Sequence, residues 1–253
     1  MNFLFSFLIA VFTGAAAGYV GSLMISKRMA LAGGALGHLT LPGITLALIY
    51  GFDVSVGAGI FLLFGIVLIW LLEEKTHLPM EALTAVVFSS SVSIAFLFLG
   101  KEQLVPALIG SVEKIGVFPV IVTAVVSLSV IFLAKKLYRR LVLINISRDI
   151  ATSLGIHVKR MNILYLLVVA VVVAMGVRVV GGLMTAAIVA IPAATSRLLT
   201  RNLSSYSLAS GVLGGLGCAG GVLLSFFTGI AAGPSIIIVN ASLFSLSLIF
   251  QKR

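Results

Sequence analysis

Nine apolar runs, each close to the length of a membrane crossing, fill almost the whole chain, and a single long polar stretch divides them. The runs lie at about 3–25, 33–50, 54–72, 82–100, 117–134, 161–177, 180–196, 207–227 and 235–250. A soluble domain carries about a quarter charged residues, whereas here 9% are charged and 60% hydrophobic, with a mean hydropathy of +1.25. Water-soluble classes are excluded. A transmembrane β-barrel would alternate polar and apolar residues over segments of ~10, and these runs do not alternate. The expected fold is an all-α polytopic membrane bundle of about nine spans, forming one transmembrane domain over residues 1–253.

The dividing stretch, KKLYRRLVLINISRDIATSLGIHVKR, covers 135–160 and holds seven of the seventeen lysines and arginines. Basic flanks resist translocation, so it is expected as a loop on the cytoplasmic side. Threading the runs from there puts fourteen basic residues inside and only Lys101, Lys114 and Arg178 outside. One missed span would invert everything beyond it, so this bias predicts N-out, C-in topology. LVPALIGSV, within 101–116, is too short to cross and reads as a re-entrant or surface helix. The first run has its basic residues after it, at Lys27 and Arg28, the reverse of a cleavable signal, and reads as a retained span.

Within the polar stretch, ISRDIATSLGI reads as a short helix. Ser147 is the candidate N-cap, Ile150, Leu154 and Ile156 form an apolar stripe, and Gly155 is a possible stop. Such a helix either lies on the lipid surface or docks onto a cytoplasmic partner.

The net charge of +10 sits beside membrane spans without interleaved aromatics, so no nucleic-acid partner is expected; the lipid bilayer is the environment. Cys218 lies in an apolar run and forms neither an intrachain disulfide nor, alone, a metal site. There is no P-loop sequence for binding ATP. The spans hold no Asp, Glu, Lys or Arg at mid-depth, which argues against a proton-driven carrier. Energy for transport would come from outside the chain. Glycines pair at helix-packing spacing: Gly14 with Gly18, Gly33 with Gly37, Gly211 with Gly215, and Gly217 with Gly221.

His38 is the one ionisable residue near the middle of a run, in a segment opened by glycines and interrupted by Pro42-Gly43. Broken helices at mid-membrane line cavities, although a histidine there can also simply bond between helices. Thr40 joins it as a pathway candidate. Asn240, with Ser235 and Ser242, forms either an interhelical hydrogen-bond set or part of a pathway. His77 and His157 read as ordinary solvated loop residues.

Three segments resemble the permease subunits of ABC transporters for zinc, manganese and ferrous iron. RMALAGGALGHLTLPGITLALIYG (28–51) resembles that family's second-span signature. MEALTAVVFSSS (80–91) resembles the next, with Glu81, Phe88 and Ser89-Ser90 in place. RVVGGLMTAAIVAIPAATSRLL (178–199) matches best, through Arg178, Gly181, Leu183, Ala187 and Pro192-Ala193-Ala194-Thr195. The likeness runs nearly end to end, and it places ISRDIATSLGI where the family has its coupling helix.

The resemblance implies a permease domain in a bacterial plasma membrane. It also implies a second permease copy, two separate ATP-binding cassette ATPase chains and an extracytoplasmic metal-binding protein. Ser147, Asp149, Ile150, Leu154 and Gly155 would then engage the ATPase, and His38 would ligate the metal. The chain itself would catalyse no covalent chemistry and hold no permanent cofactor; a divalent metal ion would be its cargo. Two positions depart from the family. Gly34 stands where the family has an Asp one turn before the histidine, and Gly229 stands near a second family Asp. Hard cations want carboxylate oxygens, so one imidazole with hydroxyl or carbonyl oxygens would bind weakly. Three other readings remain: the same architecture with a non-metal cargo, a secondary transporter, and a membrane-embedded enzyme. The last lacks an HExxH-type ligand pair and a nucleophile–base set.

Overall fold

A computed structural model describes residues 2–27, 35–52, 54–76, 78–98, 117–182 and 184–249. The 101–116 segment, His77, Gly33 and Gly34 lie outside the described residues. Among those described there are ten helices and no strands. They are α1 (Asn2–Ser26), α2 (Leu41–Tyr50), α3 (Val54–Thr76), α4 (Met80–Phe98), α5 (Val117–Ile146), α6 (Arg148–Ser153), α7 (Val158–Val180), α8 (Thr185–Leu199), α9 (Leu203–Thr228) and α10 (Ala232–Ile249). Six of them, α1, α3, α5, α7, α9 and α10, are long and apolar enough to cross a membrane by length and composition. Three shorter apolar helices, Ala35–Ala47, Ala82–Phe98 and Thr185–Leu199, fall within the remaining runs.

The polar stretch at 135–160, expected as a loop, is largely helix. At 1.5 Å per residue the 30 residues of α5 span about 45 Å, roughly 15 Å more than a hydrocarbon core. The excess carries the basic residues. Lys135, Lys136, Arg139 and Arg140 are exposed, while Ala134, Leu137, Tyr138, Leu141 and Ile144 are buried. That 3–4 residue spacing makes the extension an amphipathic helix with one face on the bundle. Only α6 and its short links separate α5 from α7.

Lipid tails are as apolar as leucine, so close backbone approach and polar contacts, rather than hydrophobic exclusion, hold such a bundle together. Three of the expected glycine pairs supply that approach. Central α1 packs on α5, α7, α8 and α9. A methyl at Gly14 would collide with the Gly214 carbonyl of α9, and one at Gly21 with the Val189 carbonyl of α8. Gly211 and Gly215 of α9 meet Ala15, Tyr19 and Val11 of α1. Gly217 and Gly221 receive Asn240 and Ile236 of α10. A crossing not marked by spacing joins α2 to α3, where Gly43 and Gly57 face each other backbone to backbone.

Candidate functional site

The segment that carries His38 is broken where its sequence dictates. A helical turn at 35–38 ends in a tight turn at 39–40, and α2 then starts with Pro42 in its first turn, where a missing N–H costs nothing. Thr40 is fully buried, and its hydroxyl donates to the Gly37 carbonyl at 2.6 Å. Gly37 lies against Gly182 and Thr185 at the start of α8, so the break is packed into the bundle rather than exposed to lipid.

At this break the His38 ring is half-buried and lies 5.2 Å from the Phe88 ring of α4, tilted by 38°. Its Nδ1 is sealed from solvent and has no hydrogen-bond partner among the described residues, a state shared with the hydroxyls of Thr13, Ser127, Tyr165 and Tyr206. A buried imidazole nitrogen with no partner forfeits a hydrogen bond's worth of stability. No group of three or more His, Cys, Asp or Glu close enough to hold a metal ion occurs among the described residues. Among the described residues, then, His38 is not joined by two further histidine, cysteine or carboxylate ligands.

The other pathway candidates do not join this histidine. Asn240 is buried; its Nδ2 donates to Ile236 O of its own helix at 2.8 Å, and its amide fills the space over Gly217. Buried Ser235 donates to Ala231 O at 3.0 Å, and exposed Ser242 to Ile238 O at 2.9 Å. These bonds stay within one chain turn, and α10 packs on α9, α8 and α7. Gly229 closes α9 at a φ of 73°, its N–H on Ser225 O at 2.9 Å. That left-handed backbone favours glycine, which gives this position a structural role in ending the helix.

Within the polar stretch the six-residue α6 is built as its sequence suggests. Ser147 is extended, and its hydroxyl accepts from Ile150 N–H at 3.3 Å. At the other end Gly155 N–H reaches Thr152 O and Ile156 N–H reaches Ala151 O, each at 3.0 Å, with Gly155 at a φ of 75°. This is a Schellman cap. Asp149 sits in the first turn, where a carboxylate suits the helix dipole. The apolar stripe differs from expectation. Ala151 is buried and Ile156 packs partly against the core, while Ile150 and Leu154 are 52% and 66% exposed. Ile146 at the end of α5 extends the exposed row. His157 is exposed and starts α7 without a side-chain cap.

Beside α6 opens a cleft of about 230 Å³, lined by Trp70, Glu73 and Glu74 of α3, Leu78 and Pro79, Arg148 of α6, and Lys159 and Asn162 of α7. Lys159 pairs with Glu74 across it. Sequence reasoning assigned Lys159 only to a side of the membrane and did not single out the acidic pair. The signal available was Trp70 followed by Glu73-Glu74 at the end of a span.

A bundle with this many apolar helices is a multi-pass membrane protein. The chain belongs to the ABC 3 transport family, whose model matches residues 1–251. It is 29% identical to the manganese import system permease protein ScaB of Streptococcus parasanguinis over 96% of this chain and 89% of that one. It is 27% identical to the high-affinity zinc uptake system membrane protein ZnuB of Haemophilus influenzae over 92% of each. Its fold is similar to a chain of PsaBC from Streptococcus pneumoniae in complex with Fab, with a TM-score of 0.84 and 25% identity over 98% of this chain and 91% of that one.

Proposed function

We propose that this chain is the membrane-spanning permease of an importer for a divalent transition metal, zinc or manganese, driven by ATP hydrolysis in a separate subunit. It crosses the bacterial plasma membrane nine times, N-out and C-in, the three shorter helices completing the count. A second copy, two ATPase chains and an extracytoplasmic metal-binding protein complete the system, and α6 meets the ATPase through Ile150 and Leu154. The observation that carries the cargo reading is the unpartnered Nδ1 of His38 at a helix break packed inside the bundle. An imidazole suits zinc, and the neutral oxygens beside it suit manganese; a site with few ligands is one that releases its ion. The manganese and zinc permeases among the relatives support the same reading.

The glycines at 34 and 229, together with the lack of a multi-ligand cluster among the described residues, favour the same ABC architecture with a non-metal cargo as the second reading. One experiment separates them. The permease is assembled with its ATPase and binding protein in vesicles, and ATP-dependent accumulation of radiolabelled Zn²⁺ and Mn²⁺ is followed. Accumulation of either ion upholds the metal reading. Cargo-independent hydrolysis with no ion uptake would give the second reading precedence.

A further inference from the structure

The cytoplasmic end of α1 is gripped by both arms of the hairpin that carries α6. From the α5 arm, the exposed Asn145 donates from Nδ2 to Ser26 O at 2.6 Å, and deeper in the bundle the Tyr138 hydroxyl lies 3.5 Å from Ser22 Oγ, whose own proton goes to Tyr19 O at 2.7 Å. From the α7 arm, Asn162 Oδ1 accepts from Lys27 Nζ at 3.0 Å, and the same ammonium sits 4.3 Å from the centre of the Tyr165 ring. Tyr165 is fully buried and Lys27 half-buried. α6 itself packs on α5 and α7.

In a bundle whose helices share apolar surface with lipid, directional polar contacts decide which helices move together. The Lys159–Glu74 pair also leaves the α7 arm, toward α3, but its side chains are 68% and 38% exposed, and an exposed pair in high dielectric contributes little. The Lys27 contacts are shielded and combine a charge-assisted hydrogen bond with a cation–π contact. Beyond the grip, α1 meets α8 and α9 at Gly14, Gly18 and Gly21, each against a backbone carbonyl: those of Gly214, Ser210 and Val189. A rod clamped at one end and backbone-packed along its length transmits displacement without absorbing it in rotamer changes.

We propose that α1 is the transmission element of the transporter, with Lys27, Asn145 and Asn162 as positioning residues that lock it to the α6 hairpin, so that displacement of α6 reaches the membrane core through α1. This rests on the ATP-driven permease reading but not on the identity of the cargo. It requires that the grip can be cut without dismantling α6 or the His38 segment, and none of the three side chains belongs to either.

The test uses the assembled transporter in a Cys218→Ala background with a reporter thiol from His38→Cys, whose labelling rate is measured with and without ATP and vanadate. With the grip intact, trapping nucleotide changes the rate by about tenfold, inside the roughly 5- to 150-fold range of coupling between linked sites. With Lys27→Met and Asn162→Leu together the ratio falls to near one, while co-purification with the ATPase and basal hydrolysis persist. Lys27→Arg, which stacks on Tyr165 and reaches Asn162, restores most of the ratio. An unchanged ratio in the double variant overturns the proposal. So does a loss of assembly shared by Lys27→Met and Lys27→Arg, which would mark the contacts as required for folding alone. In a transporter that keeps His38, ATP hydrolysis without uptake of either Zn²⁺ or Mn²⁺ refutes the metal reading and leaves the proposal standing where the reporter still responds to nucleotide. A reporter that ignores nucleotide refutes the transmission role and the ATP-driven reading together.

Discussion

Gly18→Ala should weaken the bundle at its centre. A methyl carbon built at Gly18 would lie 2.1 Å from the Ser210 carbonyl oxygen of α9 and 2.9 Å from its carbon. Both are backbone atoms, so no rotamer change relieves them. Ordinary contact begins near 3.4 Å, so α1 and α9 must part by about 1.3 Å along their shared face, a shift at which dispersion contacts lose much of their strength. Overpacking costs about 1–3 kcal/mol. The Ser210 hydroxyl also donates to the Gly18 carbonyl, and such a bond within a membrane bundle contributes about 0.6 kcal/mol. The expected loss is about 2–3 kcal/mol, close to a 30-fold change or more in the folded ratio. Cys218, the single cysteine, is fully buried against Gly14, so a thiol-reactive dye reports unfolding of this interface during a thermal ramp in detergent. Gly59→Ala is the control, because nothing lies within 4 Å of its added carbon. Gly18→Ala should lower the midpoint clearly, and Gly59→Ala should leave it unchanged or raise it. Equal midpoints for Gly18→Ala and the unaltered protein would refute the claim that backbone contact holds α1 to α9.

Three further outcomes follow from other parts of the structure. Leu154→Asp should abolish co-purification with the ATPase, or transport-stimulated hydrolysis, without preventing membrane insertion; undisturbed coupling would return α6 to a lipid-surface role. Burial brings the Lys27 ammonium pKa down to about 8, with the Glu73 carboxylate pulling the other way, so its charge is lost as pH rises through that value. Ions carried per ATP should then fall between about pH 7 and about pH 9, and Lys27→Arg should flatten the profile. The stability term has the opposite sign: the unfolded chain keeps the proton up to its ordinary 10.5, so between about 8 and 10.5 this group makes unfolding less favourable as pH rises. Gly34→Asp would supply the carboxylate that the resemblance to metal permeases puts four residues before the histidine, and it should raise metal affinity, measured by equilibrium dialysis, while slowing release.

The sequence exposed what depends on local pattern. Apolar runs located the helices because a crossing helix needs an unbroken stretch of side chains, and Ser147 and Gly155 marked the ends of α6 because caps are chemistry at single positions. The spacing of Gly14 with Gly18 and of Gly217 with Gly221 announced close packing. It did not name the partners, since the approach of Asn240 to Gly217 depends on how α9 and α10 are rotated. The run from Lys135 to Arg140 was misread as loop because polarity was weighed ahead of period. Ala134, Leu137, Tyr138, Leu141 and Ile144 carry a helical repeat through it. Lys27 was counted among fourteen cytoplasmic charges, and a count fixes a side of the membrane without revealing that one of those charges is half-buried on Tyr165. The likeness to metal permeases singled out His38 and Phe88 separately, and the fold placed their rings together.

The most direct test compares ATP-dependent uptake of radiolabelled Zn²⁺ and Mn²⁺ by vesicles holding the complete transporter with His38 and with His38→Ala, at matched rates of ATP hydrolysis. Removing the one imidazole at the helix break should cut uptake of the transported ion by about tenfold or more, the loss typical of a disturbed metal ligand shell, with hydrolysis retained. Normal uptake of both ions by His38→Ala would contradict the account and make the histidine a packing residue.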